Sequence, residues 1–278
     1  MKQQAHLNSI EKALQILLAF QADRPSWGVR ELSAHLGFSP ATVQRILQIL
    51  KANAFVEQDA ATRQYRLGFV YYGFLRALKG TYPITRASQP FMQRLVDRTR
   101  ETVHLNILEG TDRVCIDNME SPQTLKATMP IGSRSPLYAG GSSKCLLAFC
   151  EPEFRERYLR NLTAIPPLTH HTVTDLDALR GELAKIAARG YAVSLGERNP
   201  GLGSLSAPVF NHRGRLVATL SLALPEIRYR DDRHREFCLQ ELCQTAREFS
   251  QVMGYDGELQ SRTSVKGDFN AGESKTAE

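Results

Sequence analysis

No apolar run in the sequence approaches the ~20 residues that a membrane-spanning helix needs. The opening "MKQQAHLNSIEKALQ" also lacks the charged-then-apolar order of a secretory signal. Cys115, Cys145, Cys150, Cys238 and Cys243 form an odd set with no C-x-x-C pair. That argues against an oxidised framework, and zinc would want tighter clustering. The cysteines are therefore expected as buried small hydrophobes. These absences predict a cytoplasmic protein with no metal site. Neither G-x-x-x-x-G-K-[ST] nor G-x-S-x-G occurs, although "GGSSK" faintly echoes a phosphate loop. His170 and His171 are adjacent and would point apart in a strand; they read as loop or capping residues. His104, in an alternating strand, reads as a satisfied core histidine. No nucleophile–base arrangement emerges, so no catalytic residue and no cofactor is assigned, and an enzyme using a C-terminal pocket is the weakest reading.

What is present is enough for two domains of ordinary size or one large one: 278 residues, 42% of them hydrophobic. The charge is unevenly placed. Residues 1–80 hold ten Lys and Arg against five Asp and Glu, whereas the remainder is nearly balanced. Such asymmetry suits an N-terminal part that meets a polyanion, although a solvated basic face would look the same.

"SIEKALQILLAF" carries Ile10, Ala13, Leu14, Leu17 and Leu18 at helical spacing, with Ser9 at its start. "QADRPSWG" reads as a loop and "VRELSAHLG" as a short helix ended by Gly37. In "SPATVQRILQIL", Ser39 is an N-cap and Pro40 occupies the first helical position. Val43, Ile46, Leu47 and Leu50 then form a clean apolar stripe. The pair is a helix–turn–helix in which Leu36, Phe38 and Val43 fix the interhelical angle and Ser33 leaves room for close approach. The opposite face of the second helix carries Ala41, Thr42, Gln44, Arg45 and Gln48, residue types able to reach base edges and phosphates. "FVEQDAATRQYRLGF" alternates around a polar tip, giving a hairpin with Arg63 at the tip and Arg66 close behind. A helix–turn–helix followed by a basic hairpin is a winged helix, whose wing can follow a phosphate strand or enter the minor groove. A winged-helix protein-interaction subunit without DNA is the alternative.

"GFVYYGFLRALKG" predicts a further helix ended by Pro83. Beyond it, "TRASQPFMQRLVDRTRE" reads as a helix; "TVHLNILEG", "DRVCIDNME" and "TLKATMP" read as strands. "GGSSKCLLAFC" is a turn running into a helix, and "DLDALRGELAKIAARG" is an amphipathic helix closed by Gly190. "YAVSLGE", "GSLSAPVF" and "GRLVATLSLAL" read as strands, the last two meeting at "NHRG", before the closing helix "RHREFCLQELCQTAREFSQVMG". Hairpins with helices at their edges give an α+β fold on an antiparallel sheet. The expected domains are a winged helix–turn–helix over 1–67, a linker helix over 68–82, a second domain over 83–256 and a disordered tail over 257–278.

Over residues 7–256 the chain resembles the IclR family of bacterial transcriptional regulators. The resemblance rests on the order and spacing of "SIEKALQILLAF", "ELSAHLGFSPATVQRIL", "YRLG", "ETVHLNIL", "SPLYAGGSSKCLLAF", "RGYAVSLGE" and "SAPVFNHRGRLVATLSL". It implies a winged-helix DNA-binding domain, a linker helix and a C-terminal effector-binding domain of GAF/PAS-like shape. It also implies a homodimer, or a dimer of dimers, that binds a pseudopalindromic double-stranded operator. Repression of a catabolic operon is the expected mode. Ser39, Pro40, Ala41, Thr42, Gln44, Arg45, Gln48, Arg63 and Arg66 are the expected DNA contacts. Pro40 and Ala41 stand where the family often has a basic residue and a serine, which shifts phosphate binding toward Arg45 and the wing. Gln44 stands where an aromatic residue or histidine is frequent and can pair bidentately with adenine.

In "SPLYAGGSSKCLLAF", Ser142 or Ser143 can cap the following helix, and consecutive N–H groups there form a small anion site. A carboxylate effector would fit it. The resemblance places Gly140, Gly141 and Ser142 beside the ligand, with Met129 and Leu202 in the same set. Ser194 stands where an acid is frequent and Ser204 where a cysteine is; Ser221 matches a serine, and Ala223 replaces another. A small carboxylic acid is therefore expected, with sugar acids, aromatic acids and short keto acids all open.

Overall fold

The computed structural model describes residues 8–20, 24–81 and 83–257, the side chains of 79–81 excepted. Except for Gly257, the expected disordered tail lies outside the described residues. The chain divides into two compact units, Met1–Pro83 and Ile84–Glu278.

In the first unit, α1 (Ser9–Ala19) starts at a capping box rather than at Ser9. Asn8 Oδ1 accepts from the Ile10 and Glu11 N–H groups, and Glu11 accepts from the Asn8 N–H at 2.7 Å. Ile16, Ala19 and Phe20 turn inward, with Ala13 and Leu17 half-buried. Ile10, Leu14 and Leu18, expected in the core stripe, are exposed instead. They recur every four residues on a second face, so α1 is apolar on two sides. Ser26–Trp27, inside the expected loop, form the short strand β1. The chain then makes α2 (Val29–Leu36) and α3 (Pro40–Ala52), separated by Gly37 at φ 69°. Ser33 does more than leave room: its Oγ donates to the Phe38 carbonyl at 2.6 Å and ties the turn to α2. Ser39 Oγ accepts from the Thr42 N–H at 3.2 Å, and Val43, Ile46, Leu47 and Leu50 are all buried. Strands β2 (Val56–Gln58) and β3 (Tyr65–Leu67) form the hairpin, and β1 adds to it in the antiparallel order β1-β3-β2. Helix α4 (Val70–Thr81) follows, Tyr71 meeting Phe55 edge-on at 5.8 Å.

Pro83 does not end a helix but begins one, α5 (Pro83–Thr99), at a position where its missing N–H is harmless. The hairpin β4 (Thr102–Glu109) and β5 (Asp112–Met119) comes next. "TLKATMP" is not a strand. Lys126 and Thr128 bind Glu120, and Asn118 donates to the Met129 carbonyl at 2.8 Å, so side chains rather than a ladder hold this segment. The strand at this edge is β6 (Arg134–Pro136), three residues that the sequence pattern did not mark. Then come α6 (Gly141–Phe149), α7 (Pro152–Asn161), α8 (Leu176–Arg189), β7 (Ala192–Leu195), β8 (Leu202–Phe210), β9 (Leu216–Pro225), the single turn α9 (Glu226–Tyr229) and α10 (Asp232–Val252). Helices α7 and α9 were not foreseen either.

The six strands form one antiparallel sheet in the order β6-β5-β4-β9-β8-β7. Side chains alternate across it. Val103, Leu105, Leu205, Val209, Leu220 and Leu222 face one way and form a core with α5 and α10. On the other face, α6, α7 and α8 pack a second core around Leu146, Leu147, Tyr158 and Ile186. In the middle of the sheet the residues of opposite parity are polar: His104 and Asn106 on β4, Ser221 on β9, Ser204 and Ser206 on β8. An apolar sheet face therefore gives way to a hydrophilic floor in its middle.

Candidate functional site

The first unit presents α3 outward. Ala41, Arg45 and Gln48 are exposed, and Thr42 and Gln44 partly so. Gln44 leans toward the hairpin, its Nε2 donating to Tyr65 Oη at 3.4 Å. At the wing, Asp59 Oδ1 accepts from Ala61 N–H, Thr62 N–H and Thr62 Oγ1 at 2.7–3.0 Å, which lowers the Asp59 pKa and fixes the tip. Arg63 sits there at φ 60°, exposed. Arg66 pairs across the hairpin with Glu57 at 2.6 Å, so part of its charge is answered within the wing. Ser39 and Pro40 stay exposed at the start of α3.

In the second unit a cleft with about 590 Å³ of atom-free space, part of it open to solvent, lies over the hydrophilic floor. Met129, Gly140, Gly141, Ser142, Ser194, Leu202, Ser204 and Ser221 all line it. They arrive from the 124–130 segment, the start of α6, β7, β8 and β9. The floor is a chain of bonds: Ser206 Oγ donates to Ser221 Oγ at 2.8 Å, Ser204 Oγ lies 3.3 Å from Ser206 Oγ, and Asn106 Nδ2 donates to Ser221 Oγ at 3.4 Å. Gly141 is required by close approach, because a Cβ there would stand 2.8 Å from Ser204 Oγ.

The start of α6 differs from expectation. Neither Ser142 nor Ser143 caps it; both lie inside the helix. Ser194 Oγ accepts from the Gly141 N–H at 2.9 Å, and Glu197 Oε2 accepts from the Gly140 N–H at 3.0 Å. Glu197 is buried and its other oxygen takes Lys144 Nζ at 2.5 Å, while Lys144 also reaches Glu182 at 3.1 Å. Two of the three N–H groups expected to hold a ligand carboxylate are thus occupied by the protein's own oxygens. The acid missing at Ser194 is supplied three residues later, where helix dipole and lysine both favour it.

Several lining groups went unread in the sequence. His104 is not a satisfied core residue: its Nε2 is buried without a partner among the described residues. Burial, and next the Arg198 cation, lower its pKa to about 4 against an opposing pull from Glu120, so the ring is neutral at pH 7. Arg198 also lines the cleft, and burial depresses its guanidinium pKa. Behind it Arg113, on β5, is fully buried. The parity of "TVHLNIL" carried a signal for His104 and Asn106, polar residues on the face that Thr102 shares. Nothing local marks Arg113 or Arg198. His170 and His171 do lie in a turn, but their rings stand side by side at 3.9 Å rather than apart.

Comparisons with known proteins agree with this architecture. Residues 77–251 match the family described as bacterial transcriptional regulator IclR C-terminal, and residues 9–60 match the IclR helix-turn-helix domain. The chain is 33% identical over 227 residues to the HTH-type transcriptional regulator BhcR of Paracoccus denitrificans, covering 82% of this chain and 81% of that protein. It is 31% identical over 255 residues to KdgR of Escherichia coli, covering 91% and 95%. The crystal structure of the Thermotoga maritima IclR superposes with a TM-score of 0.74 at 27% identity, covering 90% of this chain and all of that one. An IclR homologue from Microbacterium hydrocarbonoxydans, complexed with 4-hydroxybenzoate, shares the fold at a TM-score of 0.77 and 22% identity, covering 88% and 99%.

Proposed function

The chain belongs to the IclR family of bacterial transcriptional regulators, a DNA-binding regulator and not an enzyme, and on that premise we propose that it represses a catabolic operon under the control of a small organic acid bound in the cleft of its second unit. One observation carries this reading: the effector positions, drawn from five separate segments, line a single cleft. The DNA-binding domain spans 1–67, the linker helix 68–82 and the effector domain 83–256, with 257–278 as tail. Arg45, Gln44, Thr42, Gln48 and Ala41 of α3 enter the major groove, Ser39 and Pro40 present its N-terminus to the backbone, and Arg63 and Arg66 take phosphates. The working form is a homodimer on a pseudopalindromic operator in the cytoplasm, paired through the exposed apolar faces of α1 and α4. Acid binding shifts the population of dimers able to hold DNA.

The test has two stages. Fragments selected from the source genome by the purified protein should share a two-fold motif, and Arg45→Ala or Gln44→Ala should each relax preference within it by ~1–3 kcal/mol. Calorimetric titration with carboxylic acids, then operator binding with and without the hit, reads the effector. A footprint unchanged by Arg45→Ala would remove α3 from the major groove. Operator affinity that no bound acid alters would remove effector control.

A further inference from the structure

Arg198 on the cleft wall and Arg113, fully buried behind it, form an electrostatic imbalance. Arg113 Nη2 donates to Ser135 Oγ at 2.5 Å, and Nη1 donates to Met129 Sδ at 2.8 Å, with Asn106 Oδ1 at 3.4 Å and the Ser133 carbonyl at 3.5 Å. Arg198 converges on the same two acceptors, Nη1 on Ser135 Oγ at 3.1 Å and Nη2 on Met129 Sδ at 3.2 Å. A hydroxyl and a thioether are neutral, and sulfur is a weak acceptor. Among the described residues neither guanidinium has a carboxylate partner, and Arg113 Nε is buried with no partner at all. The neighbouring acids are engaged elsewhere: Asp112 with Arg134 at 3.0 Å, Glu197 with Lys144 at 2.5 Å, Glu120 with Lys126 at 2.5 Å. A fully buried guanidinium beside a half-buried one, with no anion between them, is costly, and a bound anion lowers that cost.

The remaining lining decides what the anion is attached to. His104, Asn106, Ser204 and Ser221 offer donors and acceptors along the floor, and His104 Nε2 awaits a partner. Among the described residues no phenylalanine, tyrosine or tryptophan lines the cleft. Resting on the reading of an acid-controlled regulator, we propose that the cleft takes a hydroxylated aliphatic acid whose carboxylate sits on the Arg198 guanidinium, backed by the buried charge of Arg113, and not on the start of α6. Its hydroxyls then run over the serine floor toward Gly141 and Ser142. Planar bidentate geometry favours carboxylate on arginine, and a site built to hydrogen-bond hydroxyls disfavours ligands that lack them.

Melting of the full chain with D-gluconate, sorbitol, benzoate and acetate, against sodium chloride at equal ionic strength, tests this. Gluconate should raise the melting temperature most and acetate less; sorbitol should leave it at the chloride control. Arg198→Met should weaken gluconate binding by roughly tenfold or more. Ser135→Asp places a fixed carboxylate between the guanidiniums, so it should raise the acid-free melting temperature and abolish the response to gluconate. If both variants bind gluconate within about twofold of the unsubstituted protein, the arginine pair is structural and the proposal falls, while acid control of operator binding stands or falls by its own assay. Benzoate binding better than gluconate would overturn the hydroxylated class. Sorbitol binding as well as gluconate, or no acid exceeding the chloride control, would overturn this proposal, and operator binding across the wider acid panel then decides the acid-controlled reading separately.

Discussion

Arg63 holds a φ of 60° at the tip of the wing, a backbone region that costs a side-chain-bearing residue ~1–2 kcal/mol. Asp59 stabilises the turn from within, and Gln58 Nε2 donates to the Arg63 carbonyl at 3.0 Å, so the strain is fixed in place by neighbours. Conformation and charge can be separated at this residue. Arg63→Gly should stabilise the first unit by about 1 kcal/mol in thermal unfolding, and Arg63→Ala should not. If Arg63 meets phosphate, both should weaken all DNA sequences alike and flatten the salt dependence by about one ion. Full affinity in Arg63→Gly would take the wing tip off the DNA. His104 gives a second separation. Its folded pKa of about 4 lies below the ordinary 6.5, so between those values the unfolded chain binds a proton that the folded one refuses. Its contribution is therefore intact above pH 6.5 and lost as pH falls toward 4, by roughly 3 kcal/mol at the end. His104→Gln should flatten that part of the stability–pH curve, and equal slopes in the two proteins would show that His104 is not the group responsible.

At the level of elements, α1 and α4 carry more apolar surface than their own unit covers. Ile10, Leu14 and Leu18 are 54–73% exposed on α1, and Tyr72, Phe74, Leu75 and Leu78 are 46–69% exposed on α4. A patch of this kind marks an interaction surface. Leu14→Glu should leave folding nearly unchanged, within about 0.5 kcal/mol, because the position makes little use of the core. It should lower the sedimentation coefficient of the full chain and weaken operator binding; an unchanged oligomer would put pairing elsewhere. The same helix shows what periodicity can convey. Its five apolar positions announced a helix correctly but did not say which apolar face was inside, since both faces satisfy one helical period. In α3 the stripe was single and the cap strong, so every expected core position is buried. The 124–130 segment reads as a strand and β6 goes unmarked because their state is decided by side-chain and ladder partners that local periodicity does not reveal. Thr128 and Lys126 find Glu120, whereas Ser135 finds Arg113 across the ladder.

Across the whole molecule, the parts of the cleft that lay in contiguous motifs were legible, and the parts assembled by folding were not. Gly140, Gly141 and Ser142 belong to one run of sequence, and Ser194, Ser204 and Ser221 alternate within their strands. Arg113 and Arg198 are ordinary surface residues to any local pattern and become neighbours, one buried and one half-buried, only when β5 and the β7–β8 connection meet. Glu197 likewise reads as one more charge until it reaches the start of α6. The sheet that gathers these groups has its shortest strands at its margins: β6 has three residues and β7 four, against eight to ten in the interior. Arg134 on β6 is committed to Glu109 and Asp112, and Pro136 lacks an N–H to offer. Neither margin exposes a long row of open backbone groups, so neither can template further strands. The six-stranded sheet therefore offers little edge on which fibrils could nucleate, and on the proposed pairing, association is left to helices, where it can stop at a closed dimer.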